Sequence, residues 1–148
     1  MIQYGTSFAY PISSIGAHVS ACPNHQLKRM TPLNTRFNVA CFGAFGYEMD
    51  LSKLSKEETE EIKQQVIFMK QYRHLIQYGT FYRLVSPFAG NTMAWMVVSS
   101  DQKHAIVGYY KILQSVMAPF QRLYLQGLDP DKKYRINASK EGLYGDCL

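Results

Sequence analysis

The sequence predicts an α/β segment followed by an all-β segment, and three observations carry that reading. A short apolar run followed by a capped helical pattern occurs twice before Tyr78. From Thr80 the hydrophobic period changes to runs rich in Val, Ile, Tyr and Phe, which suit strands. Turn signals then recur at spacings near ten residues, as in an antiparallel sandwich. At 148 residues the chain holds one ordinary domain or pieces of two.

The elements follow in order. Ile2-Gln3-Tyr4-Gly5-Thr6 recurs as Ile76-Gln77-Tyr78-Gly79-Thr80. The second copy closes a long helical pattern, with Gly79 placed as a left-handed terminating residue. By analogy the first copy is the last turn of a helix, so the chain is expected to begin inside a structural element. Ile15 to Val19 is short and apolar enough for a buried strand. A loop from Ser20 to Thr31 follows. Thr31-Pro32 reads as N-cap and first helical residue. Leu33, Phe37, Ala40 and Cys41 then fall at helical spacing, and Gly43 stops the helix. Phe45 to Met49 is a second short strand. The two strands are expected to be parallel and buried, which requires neighbours on both sides.

Ser55-Lys56-Glu57-Glu58 is a capping box, with the acidic residues at the positive end of the helix dipole. It opens a helix from Lys56 to Tyr78 whose stripe is Ile62, Val66, Met69, Arg73 and Ile76, with Tyr72 and Leu75 beside it. The strands of the second segment are Thr80–Ser86, Met93–Ser100, His104–Leu113, Arg122–Gln126 and Tyr134–Asn137. Turns at Pro87 to Asn91, Ser100 to Lys103 and Leu128 to Asp131 separate them. Leu143 to Leu148 reads as a turn entering another strand.

Bulk properties exclude several classes. Hydrophobic content of 47% is a globular value. The net charge of +5 comes from scattered Lys and Arg with no basic stripe, which argues against nucleic-acid binding. No apolar run approaches the ~20 residues that span a bilayer, so no membrane association is expected. The N-terminus has neither the basic nor the apolar region of a signal peptide. Three widely spaced cysteines, Cys22, Cys41 and Cys147, suit free thiols in a reducing, cytoplasmic setting, two of them in packed surroundings.

The stretch from Tyr10 to Gln26 is the densest in chemistry-bearing side chains. His18, Cys22 and His25 have a spacing open to zinc, but no fourth ligand lies nearby. A packed cysteine and a backbone-bonded histidine are the favoured alternative, and no metal or cofactor is expected. Cys22 with either histidine could be a nucleophile and base, but no motif supplies an oxyanion hole. Glu48 and Asp50 could share a strand face at the ~5–9 Å separation of glycosidase carboxylates. Acids that cap the following helical turn are the favoured reading. Trp95, with Tyr109, Tyr110 and Tyr124, could form an aromatic sugar platform, but a sandwich core is the default.

The runs IQYGTS, YPISSIGAHVS, PNHQ, FGYEMDLSKLS, YRHLIQYGTFYRL, Ser86-Pro87, AWMVVS and LQGLDPDKKYRI are spread along nearly the whole length of the chain, from Ile2 to Ile136. On them the chain resembles the C-terminal portion of the glycoside hydrolase family 36 α-galactosidases. The resemblance implies the last two βα units of a (β/α)8 barrel in residues 1–78 and a truncated antiparallel β-sandwich in residues 79–148. It implies retaining hydrolysis of terminal α-galactosyl groups, by an aspartate nucleophile in a Lys-Trp-Asp type motif and an aspartate acid/base in a Ser-Asp-x-x-Asp type motif. Neither motif occurs in this sequence. The expected role is therefore part of an α-galactosidase, inactive by itself, with Glu48 and Asp50 carrying no catalytic role. Gly16, His18, Ser20, Asn24 and His25 are the expected substrate-binding rim, on the barrel face where such enzymes keep their sites. The partners implied are α-galactoside sugars, met through a parent enzyme that is a homo-oligomer. The rival readings are half of a split enzyme that needs a partner chain, and a non-catalytic β-sandwich binding module.

Overall fold

A computed structural model describes residues 1–114, 116–117, 120–137 and 141–148. The chain divides into two compact units, Ile2–Gln77 and Tyr78–Leu148.

The first unit opens with the single-turn helix α1 (Ile2–Thr6), as the repeated motif predicts. Strand β1 (Gly16–Ser20), helix α2 (Leu33–Ala40), strand β2 (Ala44–Glu48) and helix α3 (Lys56–Tyr78) follow. The two strands pair in parallel, with Ala17 opposite Phe45 and Val19 opposite Tyr47. These four side chains share one face, because side chains alternate along a strand. Helices cover that face: Phe37 of α2 packs edge-on against both Phe45 and Phe68, and Tyr47 donates a 2.8 Å hydrogen bond to Oε1 of Gln65. Ala17 and Val19 are buried accordingly.

The opposite face departs from expectation. Gly16, His18, Ala44 and Glu48 are exposed, so the strands are buried on one side rather than both. The apolar run from Ile15 to Val19 could not reveal this, because His18 and the small residues read equally well in either environment.

Helix α2 carries its predicted core: Leu33, Phe37, Ala40 and Cys41 are all buried. Its start differs. Pro32, not Thr31, is the N-cap, and no side chain caps the helix. The Thr31 carbonyl instead accepts from Nε of Arg36 at 3.0 Å. Gly43 follows the helix at a close approach. A Cβ there would stand 2.5 Å from the Ile15 carbonyl oxygen and 2.7 Å from Cβ of Ala17, so only glycine lets the chain pass into β2.

Helix α3 has the predicted bounds and the predicted capping box. Glu58 N–H donates to Ser55 Oγ at 3.1 Å, and Ser55 N–H donates to Glu58 Oε2 at 3.0 Å. Its buried positions are Gln65, Met69 and Ile76, whereas Arg73 is exposed. Gln65 is tolerated inside because both ends of its amide are bonded, to Tyr47 and, at 2.9 Å, to Glu61. Gly79 does not take the left-handed conformation; among the described glycines only Gly127 does, at φ 73°. The chain leaves α3 directly into a strand, so no reversal is needed.

The second unit is built on an antiparallel sheet of β3 (Thr80–Val85), β4 (Thr92–Val98) and β5 (Ala105–Lys111), with β4 central. Met93 to Val98 are buried without interruption, and Trp95 is 1% exposed. Both faces of β4 are thus covered, which removes Trp95 as a sugar platform. A hairpin of β6 (Lys133–Arg135) and β7 (Gly142–Tyr144) forms a separate two-stranded sheet.

Polar bonds tie the hairpin region to the larger sheet. Tyr134 Oη donates to the Gln102 carbonyl at 2.6 Å, and Gln102 Nε2 donates to the Gly127 carbonyl at 2.9 Å. Gly127 lies against Tyr82, whose ring leaves no space for a Cβ. The predicted strand Arg122–Gln126 does not form. Its alternation is real, since Leu123 and Leu125 are half-buried between exposed neighbours. Leu125 N–H bonds the Leu148 carbonyl at 2.9 Å, but no ladder continues. Alternation reports a half-buried extended segment, and only a neighbour makes it a strand. Among the described residues no helix is long and apolar enough to cross a membrane.

Candidate functional site

The open face of the β1–β2 pair concentrates the chemistry. The register sets His18 opposite Gly46 and Ser20 opposite Glu48. Gly16, His18 and Ser20 therefore share one face with Ala44, Gly46 and Glu48. The His18 imidazole lies over Gly46, where an added Cβ would meet its Cδ2 at 3.1 Å. Small residues thus leave room for an imidazole, a hydroxyl and a carboxylate on one sheet surface. Such a set both donates and accepts hydrogen bonds, as hydroxyl-rich ligands require.

The other two predicted residues lie in the loop beyond β1. Asn24 spends its side chain on the loop itself: Oδ1 accepts from Gln26 N–H at 3.1 Å and from Leu27 N–H at 2.9 Å. Its backbone closes the turn through Asn24 N–H to the Arg29 carbonyl at 3.0 Å and Lys28 N–H to the Asn24 carbonyl at 2.8 Å. Lys28 takes a left-handed φ of 54° to complete it. His25, next to Asn24, is exposed on this turn. The structure thus gathers Gly16, His18 and Ser20 on one strand, and carries Asn24 and His25 on the turn that follows.

Arg36 is the residue that the sequence reading missed. Its Nη1 donates to the Ser20 carbonyl at the end of β1, and its Nε to the Thr31 carbonyl at the start of α2. One guanidinium therefore joins both ends of the loop. Nothing in the sequence marks it beyond its place one turn into a helix that lacks a side-chain cap.

The thiols divide by environment. Cys22 is half-buried, with Sγ 3.9 Å from Met30 Sδ and 4.0 Å from the Arg29 carbonyl. Neither neighbour is a base that could activate it. Cys147 is exposed rather than packed, and hydrogen bonding to Asp146 raises its pKa. Only Cys41 is buried, and burial pushes its thiol up to about 12. We expect Cys147 and Cys22 to react with a disulfide reagent in the native protein and Cys41 only on unfolding. The buried thiol also makes stability fall as pH rises from 9.0, where the unfolded thiol ionises, towards about 12. A Cys41→Ala variant should lose that part of the alkaline decline in urea titrations; an unchanged decline would contradict the assignment.

Asp50 does what a capping acid does. Its Oδ1 accepts from Ser52 Oγ at 2.6 Å and Ser52 N–H at 3.0 Å, and Lys53 Nζ stands 3.4 Å from Oδ2. The Ser52 hydroxyl and amide lower its pKa. Asp50 is thereby held as the cap of the 3₁₀ turn Leu51–Lys53. Among the described residues no group of three His, Cys, Asp or Glu is placed to hold a metal ion.

Two family models match the chain. Residues 1–79 match the Melibiase family, and residues 92–148 match the glycosyl hydrolase family 36 C-terminal domain. The chain is 54% identical over 144 residues to alpha-galactosidase AgaA of Geobacillus stearothermophilus, covering 97% of this chain. The crystal structure of that protein superposes with a TM-score of 0.93 over 98% of this chain. The alpha-galactosidase from Lactobacillus brevis superposes at 0.94 with 50% identity over 98% of this chain. Variants of the Geobacillus protein have been solved in complex with stachyose and with raffinose. In each comparison this chain spans about a fifth of the relative's length, 20%.

Proposed function

The chain belongs to the melibiase family, the glycoside hydrolase family 36 α-galactosidases, and from that premise we propose that it forms one wall and the rim of an α-galactoside site. In this reading Ile2–Gln77 supplies the last two βα units of a (β/α)8 barrel, and Tyr78–Leu148 supplies part of an antiparallel β-sandwich. The substrates are terminal α-galactosyl groups of galacto-oligosaccharides such as raffinose and stachyose, hydrolysed with retention by the complete enzyme.

The observation that carries the proposal is the parallel β1–β2 pair, packed by helices on one face and open on the other. A barrel strand needs that two-sidedness, with helices outside and ligand-facing groups inside at the carboxyl ends. His18, Ser20 and Glu48 occupy the open face, and the turn bearing Asn24 and His25 stands just beyond it. Their task is to bind and orient sugar hydroxyls. Retaining hydrolysis needs two carboxyl groups about 5–5.5 Å apart. This face offers Glu48 alone, with Asp50 turned to its own helical turn. The reacting carboxylates must therefore come from other barrel strands.

A chimera tests this reading. This chain replaces the matching fifth of the Geobacillus α-galactosidase. The chimera is expected to hydrolyse p-nitrophenyl α-galactoside and raffinose with a kcat within about tenfold of the parent, which corresponds to about 1.4 kcal/mol. A folded chimera without α-galactosidase activity would overturn it.

A further inference from the structure

The loop between β1 and α2 is held at its feet by one side chain. Arg36 donates to the carbonyls of Ser20 and Thr31, the last residue of β1 and a residue just before α2. No ion pair of Arg36 occurs among the described residues, so its charge serves the two carbonyl oxygens. Between those feet the loop is closed by its own turn, through Asn24, Lys28 and Arg29. Asn24 fixes the shape of the tip, and Arg36 fixes where the tip stands relative to the strand end.

Position along the strand direction decides what such a loop can touch. A hydrolase that removes terminal galactosyl groups holds that group deepest, against the sheet. The remaining sugars then run outward past the loops beyond the strand ends. We propose that Arg36 is a positioning residue for the leaving-group sugars: it sets the Ala21–Met30 loop, with His25 and Gln26 exposed on its turn, against the outward part of an oligosaccharide. This rests on the reading of that loop as the rim of a galactoside site.

Two measurements test it with Arg36→Gln and Arg36→Lys. Lys28 and Arg29 are exposed trypsin sites inside the loop. In the isolated chain, Arg36→Gln is expected to be cut there about tenfold faster, the equivalent of one charge-assisted hydrogen bond. Arg36→Lys should be cut more slowly than Arg36→Gln. An unreactive Cys41 in both variants reports an intact core. In the chimera, the ratio of kcat/KM for stachyose to that for p-nitrophenyl α-galactoside should fall about tenfold in Arg36→Gln, through KM, and recover partly in Arg36→Lys. Unchanged cleavage with Cys41 protected overturns the clamp, whatever the site does. A loosened loop with an unchanged ratio overturns the leaving-group role. An inactive unmutated chimera overturns the site reading on which that role rests, while cleavage still decides the clamp.

Discussion

The isolated chain is expected to release no p-nitrophenol from p-nitrophenyl α-galactoside above the buffer rate. The reason lies in the carboxylates. Retaining hydrolysis needs a nucleophile and an acid/base on opposite sides of the scissile bond. On the open face of β1 and β2 only Glu48 is available, because Asp50 is bonded to Ser52 and paired with Lys53. Loss of a nucleophile alone costs on the order of a millionfold in kcat, and binding groups do not restore it. An imidazole and a hydroxyl, the groups of His18 and Ser20 on that face, do not replace the missing carboxylate nucleophile. The assay should also show no difference between the chain and a Glu48→Gln variant. A measurable rate that Glu48→Gln abolishes would sink the account, since it would make Glu48 a reacting group.

Trp95→Ala is expected to destabilise the second unit by about 3–5 kcal/mol, the usual cost of emptying a large aromatic site in a core. Trp95 sits on the central strand, with Phe81 and Tyr110 edge-on at ring separations of 5.6 and 6.0 Å. Its neighbours from Met93 to Val98 are all buried, so backbone collapse cannot refill the space. Against a typical total of 5–15 kcal/mol, such a loss removes a large fraction of stability. Far-UV circular dichroism during urea unfolding reads it as an earlier midpoint. The unmutated chain should show blue-shifted tryptophan emission that galactose and raffinose leave unchanged. Quenching by sugar would revive the binding-module reading, which loses its main support in the burial of Trp95.

Much of the fold was legible because it follows from local rules. The capping box of Ser55 and Glu58, the helix from Lys56 to Tyr78, and the apolar faces of α2 and of β4 are nearest-neighbour or periodic features. The structure reproduces them with small shifts at the ends. The misreadings share a cause. Helical spacing puts Arg73 on the buried stripe, yet it is exposed, while Gln65, polar by type, is buried because Tyr47 and Glu61 complete its amide. Gly79 looked like a left-handed stop, but the chain runs on into β3 without reversing. Arg122 to Gln126 alternates correctly and still lacks a ladder. Each depends on what lies across space from the residue.

The candidate site divides the same way. Its chemistry-bearing residues, Gly16, His18, Ser20, Asn24 and His25, were visible as a cluster in the sequence, and the motifs around them name the family. By itself the sequence determined the order of elements through β5, the capping box that opens α3, the core face of α2 and the family, because spacing and residue type are properties of the chain alone. The tertiary structure decided which face of β1 is open, that Ser20 stands opposite Glu48, that Asp50 turns to its own helical turn, and that Arg36 joins the feet of the loop. Those facts depend on strand register and on which carbonyl lies within reach of a guanidinium, and a register is set only when two distant segments meet.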